Sequence, residues 1–200
     1  MNTDLVEYYR LRAHEYEAIY RKPERSGDLN ALEIFLQRAF TGLEVFETAC
    51  GTGYWTEKIA KTARSVTATD INNDVLAVAK SKVYACPVIF EREDLFVSPP
   101  SSVSRFDALF GGFIWSHIPV TLLIKALENL SKKVRPGGRL VFVDNRFVDG
   151  SSTPVHSRDA DGNTYQLRKL ADGSQHLVLK NFPDPDDLQR ILSGLGSVEV

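Results

Sequence analysis

Apolar and polar positions alternate along this chain in two rhythms, and each predicts a different element. The opening stretch "TDLVEYYRLRAHEYEAIYRKPER" places Leu5, Tyr9, Arg12, Ala13, Tyr16 and Tyr20 on one side at helical spacing, so it reads as one helix ending near Pro23. A second helix follows, with Leu29, Leu32, Phe35, Leu36 and Ala39 as its inner stripe and Gly42 at its end. The rhythm then shortens. "LEVFET", "SVTATD", "PVIFE", "FDALFGG" and "RLVFVD" read as strands. Between them "YWTEKIAKTA", "NDVLAVAKSK" and "PVTLLIKALENLSKKV" read as helices. The second of these is opened by Asn73 as an N-cap. The third has Pro119 in its first turn and Leu122, Leu123, Ala126, Leu127 and Leu130 inward. "SPPSSVS" is a polar loop, and "RPGG" stops the third helix.

Apolar strands separated by amphipathic helices predict a parallel sheet covered on both faces. After Asp144 the pattern breaks. Residues 145–183 are polar and turn-rich, with a hairpin around Asp172 and Gly173 that would serve as a lid or, alternatively, as an oligomer contact. "DPDDLQRILSGLG" returns to helix, and "SVEV" begins a further strand.

Composition narrows the picture a little. Two hundred residues suit one domain. Its expected parts are a helical cap over 1–41, a core over 42–144, the insertion over 145–183 and a last helix and strand over 184–200. A net charge of −2 argues against a broad nucleic-acid footprint. No apolar run reaches the roughly 18 residues of a membrane span, and the start lacks a signal-peptide core. Cys50 and Cys86 fall in no metal-ligand spacing, so two free thiols in a reducing cytoplasm and no metal are expected.

The chemistry concentrates in "VFETACGTGYW". A strand, a glycine turn and a helix let a ligand approach the main chain closely. Asp70 ends the next strand seventeen residues after Gly53, the place for a carboxylate on ribose hydroxyls. Asp94 follows the third strand, where an acid can accept from an adenine amino group and the Leu95 N–H can meet a ring nitrogen. Glu47 precedes the loop. A phosphate would repel it, and an ammonium group would stabilise it. The third glycine of a dinucleotide fingerprint is replaced by Thr56, and no Gly-Lys-Ser/Thr is present at the loop. Together these features favour an adenosine ligand with a cationic tail over a dinucleotide.

"FETACGTGYW", "TATDIN", "REDLF", "FDALFGGFIWSHIP" and "RPGGRLVFVD" resemble the successive motifs of class I S-adenosylmethionine-dependent methyltransferases, in order, from about Leu43 to Asp144. The resemblance implies a Rossmann-like, doubly wound, mostly parallel sheet of the seven-stranded type, with an N-terminal helical cap and an inserted hairpin after the fifth strand. It implies that Ala49, Gly51 and Gly53 meet the methionine part and ribose of S-adenosylmethionine, and that Glu47 faces the methionine ammonium. Asp70 would bind the ribose, Ile71 would lie against adenine, and Asp94 with Leu95 would read its edge. Gly111 and Gly112 would leave room for the sulfonium, and Tyr16 of the cap, or else Tyr9 or Tyr20, would lie near the cofactor.

Methyl transfer is an in-line displacement, helped mainly by alignment. His117 in "WSHIP" is the base candidate for an acceptor that must lose a proton. Phe113, Trp115 and Phe147 are candidates for an acceptor pocket, against the alternative of plain packing. Arg158, Arg168 and Lys169 could attract an acidic substrate, against the alternative of a solvated hairpin face. A small molecule is the expected acceptor, since no Asn/Asp-Pro-Pro-Tyr/Phe motif or nucleic-acid module is present. Other readings are a non-catalytic binder of the same cofactor, a nicotinamide-dependent reductase and a nucleic-acid methyltransferase. The seven-stranded plan lacks its last strand here. Either the sequence is a piece of a longer chain, or the hairpin supplies the strand, or another molecule completes the edge, which points toward a homodimer.

Overall fold

In the computed structural model, residues 3–97 and 105–199 are described. The polar stretch 98–104 read as a loop lies outside them. Five parallel strands form the main sheet: β1 Glu44–Thr48, β2 Ser65–Asp70, β3 Val88–Arg92, β4 Phe106–Gly112 and β5 Val134–Val143, in the order 3-2-1-4-5. The chain leaves β1 in one direction to build β2 and β3, then crosses back to build β4 and β5 on the other side. The carboxyl ends of β1 and β4 therefore diverge at a switch point, where a crevice opens.

The period-two geometry of strands explains the two-sided core. Val45 joins Leu36, Phe40, Ile59, Leu76 and Phe110 on one face. Its neighbour Phe46 joins Phe106, Leu109, Leu130 and Val134 on the other. The first face is covered by α2 (Ser26–Phe40), α3 (Tyr54–Ala60) and α4 (Asn73–Lys80). The second is covered by α5 (Leu123–Ser131). Burying each of these large side chains contributes about 1.5–3 kcal/mol.

Several local expectations need correction. The first helix is not continuous. α1 spans Thr3–Leu11, and 3-10 turns follow at Tyr16–Arg21 and Pro23–Arg25. A straight helix over that stretch would run about 34 Å, past the edge of the sheet. The break at 12–15 buries Ala13 and turns the next segment over the strand ends. In α2, Phe35 is 51% exposed and Phe40 takes the buried place. The cap of α4 is Asn72, not Asn73, its side chain accepting the Asp74 N–H at 2.9 Å. Pro119 does not open α5: it precedes a separate 3-10 turn, Val120–Leu122, whose Val120 N–H donates to Asn163 Oδ1 at 2.8 Å. α5 begins at Leu123, and Leu122 is exposed. "RPGG" lies inside β5 as an irregularity, with the register to β4 shifting between Phe106 and Ala108.

The insertion forms its own antiparallel sheet of β6 (Ser157–Arg158), β7 (Thr164–Lys169) and β8 (Gln175–Leu179). It does not extend the main sheet, so the hairpin is not the missing strand. It packs instead on α1, where Leu5, Tyr8, Leu170 and Val178 bury one another. α6 (Pro185–Leu192) follows, and residues 197–199 form no strand. No helix among the described residues is long and apolar enough to cross a membrane.

Candidate active site

A cavity of about 970 Å³, including its open mouth, lies over the carboxyl ends of β1, β2 and β4. Its floor is Glu47 to Thr52, Asp70 to Asn72, and Gly112 with Phe113. Its roof is Leu5, Val6 and Tyr9 from α1, with Tyr16 and Tyr20 from the following turn. Two non-glycine residues with left-handed backbone, Ala49 (φ 51°) and Phe113 (φ 60°), both line it. Such conformations cost about 1–3 kcal/mol and persist only where the surroundings impose them.

Glu47 is 2% exposed at the end of β1. Its Oε2 accepts the Thr56 hydroxyl at 2.6 Å, the residue at the third position of the glycine pattern. Among the described residues no cation pairs with it. Burial, with Asp70 nearby adding to it and the Thr56 bond opposing, pushes its carboxyl up to about 8. Asp70 is fixed by two backbone donors, Gly51 at 3.0 Å and Asn72 at 2.9 Å. Burial still holds its carboxyl above the ordinary range. The Asn72 amide donates to the Val6 carbonyl at 3.2 Å, which ties α1 to the floor.

A second polar group stands at the roof end. The His117 Nδ1 lies 2.6 Å from the Leu179 carbonyl, so this nitrogen carries the proton. Nε2 therefore accepts the Tyr9 hydroxyl, at 2.9 Å. Burial first, then the charge of Lys180 and of Arg168, push the imidazole down to about 3 against the opposing pull of Asp144. Behind it, Lys180 Nζ donates to Asp144 at 2.8 Å and to Ser116 Oγ, and the Ser116 N–H donates to Asp144 at 2.8 Å. This buried group ties the end of β8 to the end of β5.

Of the residues singled out from sequence, Tyr16, Glu47, Ala49, Gly51, Asp70, Ile71, Leu95, Gly112, Phe113 and His117 line the cavity. Five stand off the wall. Gly53 (φ 76°) packs the start of α3 on α4, since a Cβ there would come within 3.0 Å of the Ala79 Cβ and 2.5 Å of the Tyr84 hydroxyl. A Cβ on Gly111 would strike Phe142 at 2.7 Å. The Asp94 carboxylate turns back to accept the Phe96 N–H at 2.9 Å, and it is Glu93, bridged to Lys133 at 2.6 Å, that reaches the cavity. Trp115 is core, edge-on to Phe142 at 5.3 Å. Phe147 packs on Phe182 outside. Asn72, Thr52 and Trp55 also line the cavity without having been singled out. The buried Trp55 Nε1 is without a hydrogen-bond partner among the described residues. Its only sequence signal is its place two residues after Gly53.

The parallel order 3-2-1-4-5, with a cavity of acids and glycine turns at the switch point, defines a Rossmann-like nucleoside-binding protein. The family model for the methyltransferase domain matches residues 45–138. The chain is 30% identical to DhpI in two solved complexes. The DhpI-SAM-HEP complex has a TM-score of 0.78, with 98% of this chain and 90% of that chain covered. The DhpI-SAH complex has a TM-score of 0.77, with 96% and 86% covered. The chain belongs to the class I S-adenosylmethionine-dependent methyltransferases. It is 27% identical over 179 residues to a malonyl-[acyl-carrier protein] O-methyltransferase of Pectobacterium atrosepticum, covering 81% of this chain and 67% of that one. It is 31% identical over 157 residues to a ubiquinone biosynthesis O-methyltransferase of Xanthomonas campestris pv. campestris, covering 75% and 60%. Other curated relatives are spanned over about half their length, such as 48% for a methyltransferase of Bacillus cytotoxicus.

Proposed function

We infer that this protein methylates an oxygen atom of a small molecule inside the roofed cavity, using S-adenosylmethionine. The observation that carries this reading is the buried Glu47 carboxylate, which lines the cavity with no cation among the described residues to answer it. A cationic ligand relieves that cost, and a pyrophosphate would raise it. Thr56 supports the same reading: its hydroxyl serves Glu47 in place of a packing glycine at a dinucleotide site.

When bound, the sulfonium supplies an activated methyl group. The chain's residues would hold, orient and dry it. Asp70, oriented by the Gly51 and Asn72 amides, would accept from the ribose hydroxyls. Ile71 and Leu95 would flank the adenine, with Glu93 rather than Asp94 the acid within reach of its edge. Glu47 would meet the methionine ammonium. The Trp55 N–H and the cap tyrosines are donors available to the rest of that tail. Tyr9, Tyr16 and Phe113 would exclude water from the acceptor end. Both named curated relatives act on oxygen by name, which is the ground for proposing oxygen here.

Calorimetry with S-adenosylhomocysteine and with NADH tests the reading. Saturable uptake of the first alone is expected, weakened at least tenfold in Asp70→Ala. Tight binding of NADH in its place overturns it.

A further inference from the structure

The cavity is electrically lopsided. Glu47 and Asp70 line its floor with no cation paired to them among the described residues, and Glu93 lines it paired with Lys133. Behind the roof, outside the cavity lining itself, stand two guanidinium groups that pair with no carboxylate among the described residues. Arg12 donates to the Tyr8 hydroxyl at 2.9 Å, and its Cζ lies 5.4 Å from the ring centre of Tyr16. Arg168 lies with its Cζ 5.8 Å from the Tyr8 ring centre. Its Nε and Nη2 both donate to Gln166 Oε1, at 3.3 and 2.8 Å. Gln166 is itself buried and pinned by the Thr153 carbonyl. An amide oxygen orients a guanidinium without cancelling its charge, so Arg168 is positioned yet still uncompensated. Half-buried cations without an acid are costly unless something anionic visits.

We propose that the methyl acceptor is a small oxyanion, a carboxylate or a phosphoryl group, drawn to the roof end of the cavity by Arg12 and Arg168 and methylated as it arrives, already ionised. This rests on the methyltransferase reading above. A lone pair on the acceptor oxygen forms the O–CH3 bond. The carbon–sulfur bond breaks with its electrons going to sulfur, and no proton moves. One negative and one positive charge disappear together, a change that a low-dielectric, tyrosine-lined enclosure favours over water.

His117 fits this scheme as a positioning residue. Its Nδ1 proton is committed to Leu179, and its Nε2 fixes Tyr9. Burial first, then Lys180 and Arg168, stand against its protonation, with Asp144 and the Leu179 carbonyl favouring it. An imidazole so placed does not take a proton from an alcohol at neutral pH, and an ionised acceptor does not ask it to.

The test uses the full chain saturated with S-adenosylhomocysteine, titrated calorimetrically with inorganic phosphate, malonate and neutral malonamide. Saturable binding of at least one anion is expected, with none for malonamide. Whether phosphate or malonate binds tells the phosphoryl from the carboxylate. Arg168→Gln and Arg12→Gln should each weaken that binding about tenfold or more, in line with loss of a charged hydrogen bond. Uptake of S-adenosylhomocysteine should be unchanged. A variant that no longer takes up the nucleoside is set aside in favour of the other; if both fail, the wild-type preference for anions over malonamide decides. Nucleoside uptake with no anion binding, or equal binding by folded variants, overturns the oxyanion proposal alone. Absence of nucleoside uptake in the wild type overturns the reading beneath it.

Discussion

Glu47 couples ligand uptake to protons. Its carboxyl sits at about 8 in the folded chain against an ordinary 4.5. Below about pH 4.5 both folded and unfolded forms hold the proton. Between 4.5 and 8 the unfolded chain releases it first, so this group lowers stability as pH rises, and the penalty is constant above 8. An ammonium group that meets Glu47 expels the same proton. S-adenosylhomocysteine affinity should therefore climb up to about tenfold per pH unit between 6 and 8 and level off above. Glu47→Gln should flatten that profile in calorimetry across pH, and a profile unchanged by the substitution would detach Glu47 from the ligand. The places of Glu47, Asp70 and Gly51 on the cavity wall were legible because strand-end positions are fixed by the strand itself. The place of Asp94 was not, because which of two neighbouring acids faces the cavity is settled by the turn, and here the Asp94 carboxylate takes the Phe96 N–H. Trp55 reads as core in any pattern, and it is core on every side but the one facing the cavity.

The roof turn and the hairpin that packs on α1 are anchored separately. The turn Tyr16–Arg21 is tethered through Glu17, whose Oε1 accepts Thr52 at 2.7 Å and Lys82 at 2.5 Å. Glu17→Ala removes both contacts, worth about 1–2 kcal/mol together. It should speed release of S-adenosylhomocysteine about tenfold in stopped-flow chase experiments. Fold stability, read in urea, should fall by no more than about those 1–2 kcal/mol. The hairpin is held by Lys180. Lys180→Met leaves Asp144 buried without its partner and should cost about 3–5 kcal/mol, measured by denaturant unfolding. Strands and most helices of the core were readable from periodicity alone. The interrupted first helix was not: nothing between Leu11 and Tyr16 is a breaker, and the bend is imposed by burying Ala13 and seating tyrosines over the strand ends. The irregular start of β5 escaped notice for a related reason, since Gly137 and Gly138 read as a stop when pairing with β4 makes them a bulge.

Across the whole molecule, the parallel sheet covered on both faces followed from alternation of strand and helix, whereas its Rossmann-like plan came from the resemblance of motifs. The separate sheet of the insertion did not, because its partner is α1, about 170 residues away in sequence, and local pattern carries no trace of so distant a contact. A ligand that bridges floor and roof should stabilise the assembly as one unit. At a hundredfold excess over its dissociation constant, S-adenosylhomocysteine should add about 2.7 kcal/mol. For a chain of this size that is a rise of about 5–11 °C in midpoint, read by scanning fluorimetry. Because α1 precedes β8 by about 170 residues, the apolar side of α1 is covered only once β8 has been made. A nascent chain halted near residue 150 would carry the sheet but leave Leu5 and Tyr8 uncovered. Translation thus leaves a sticky helix waiting for its partner, and arrested ribosome complexes should show that segment open to protease until the hairpin emerges.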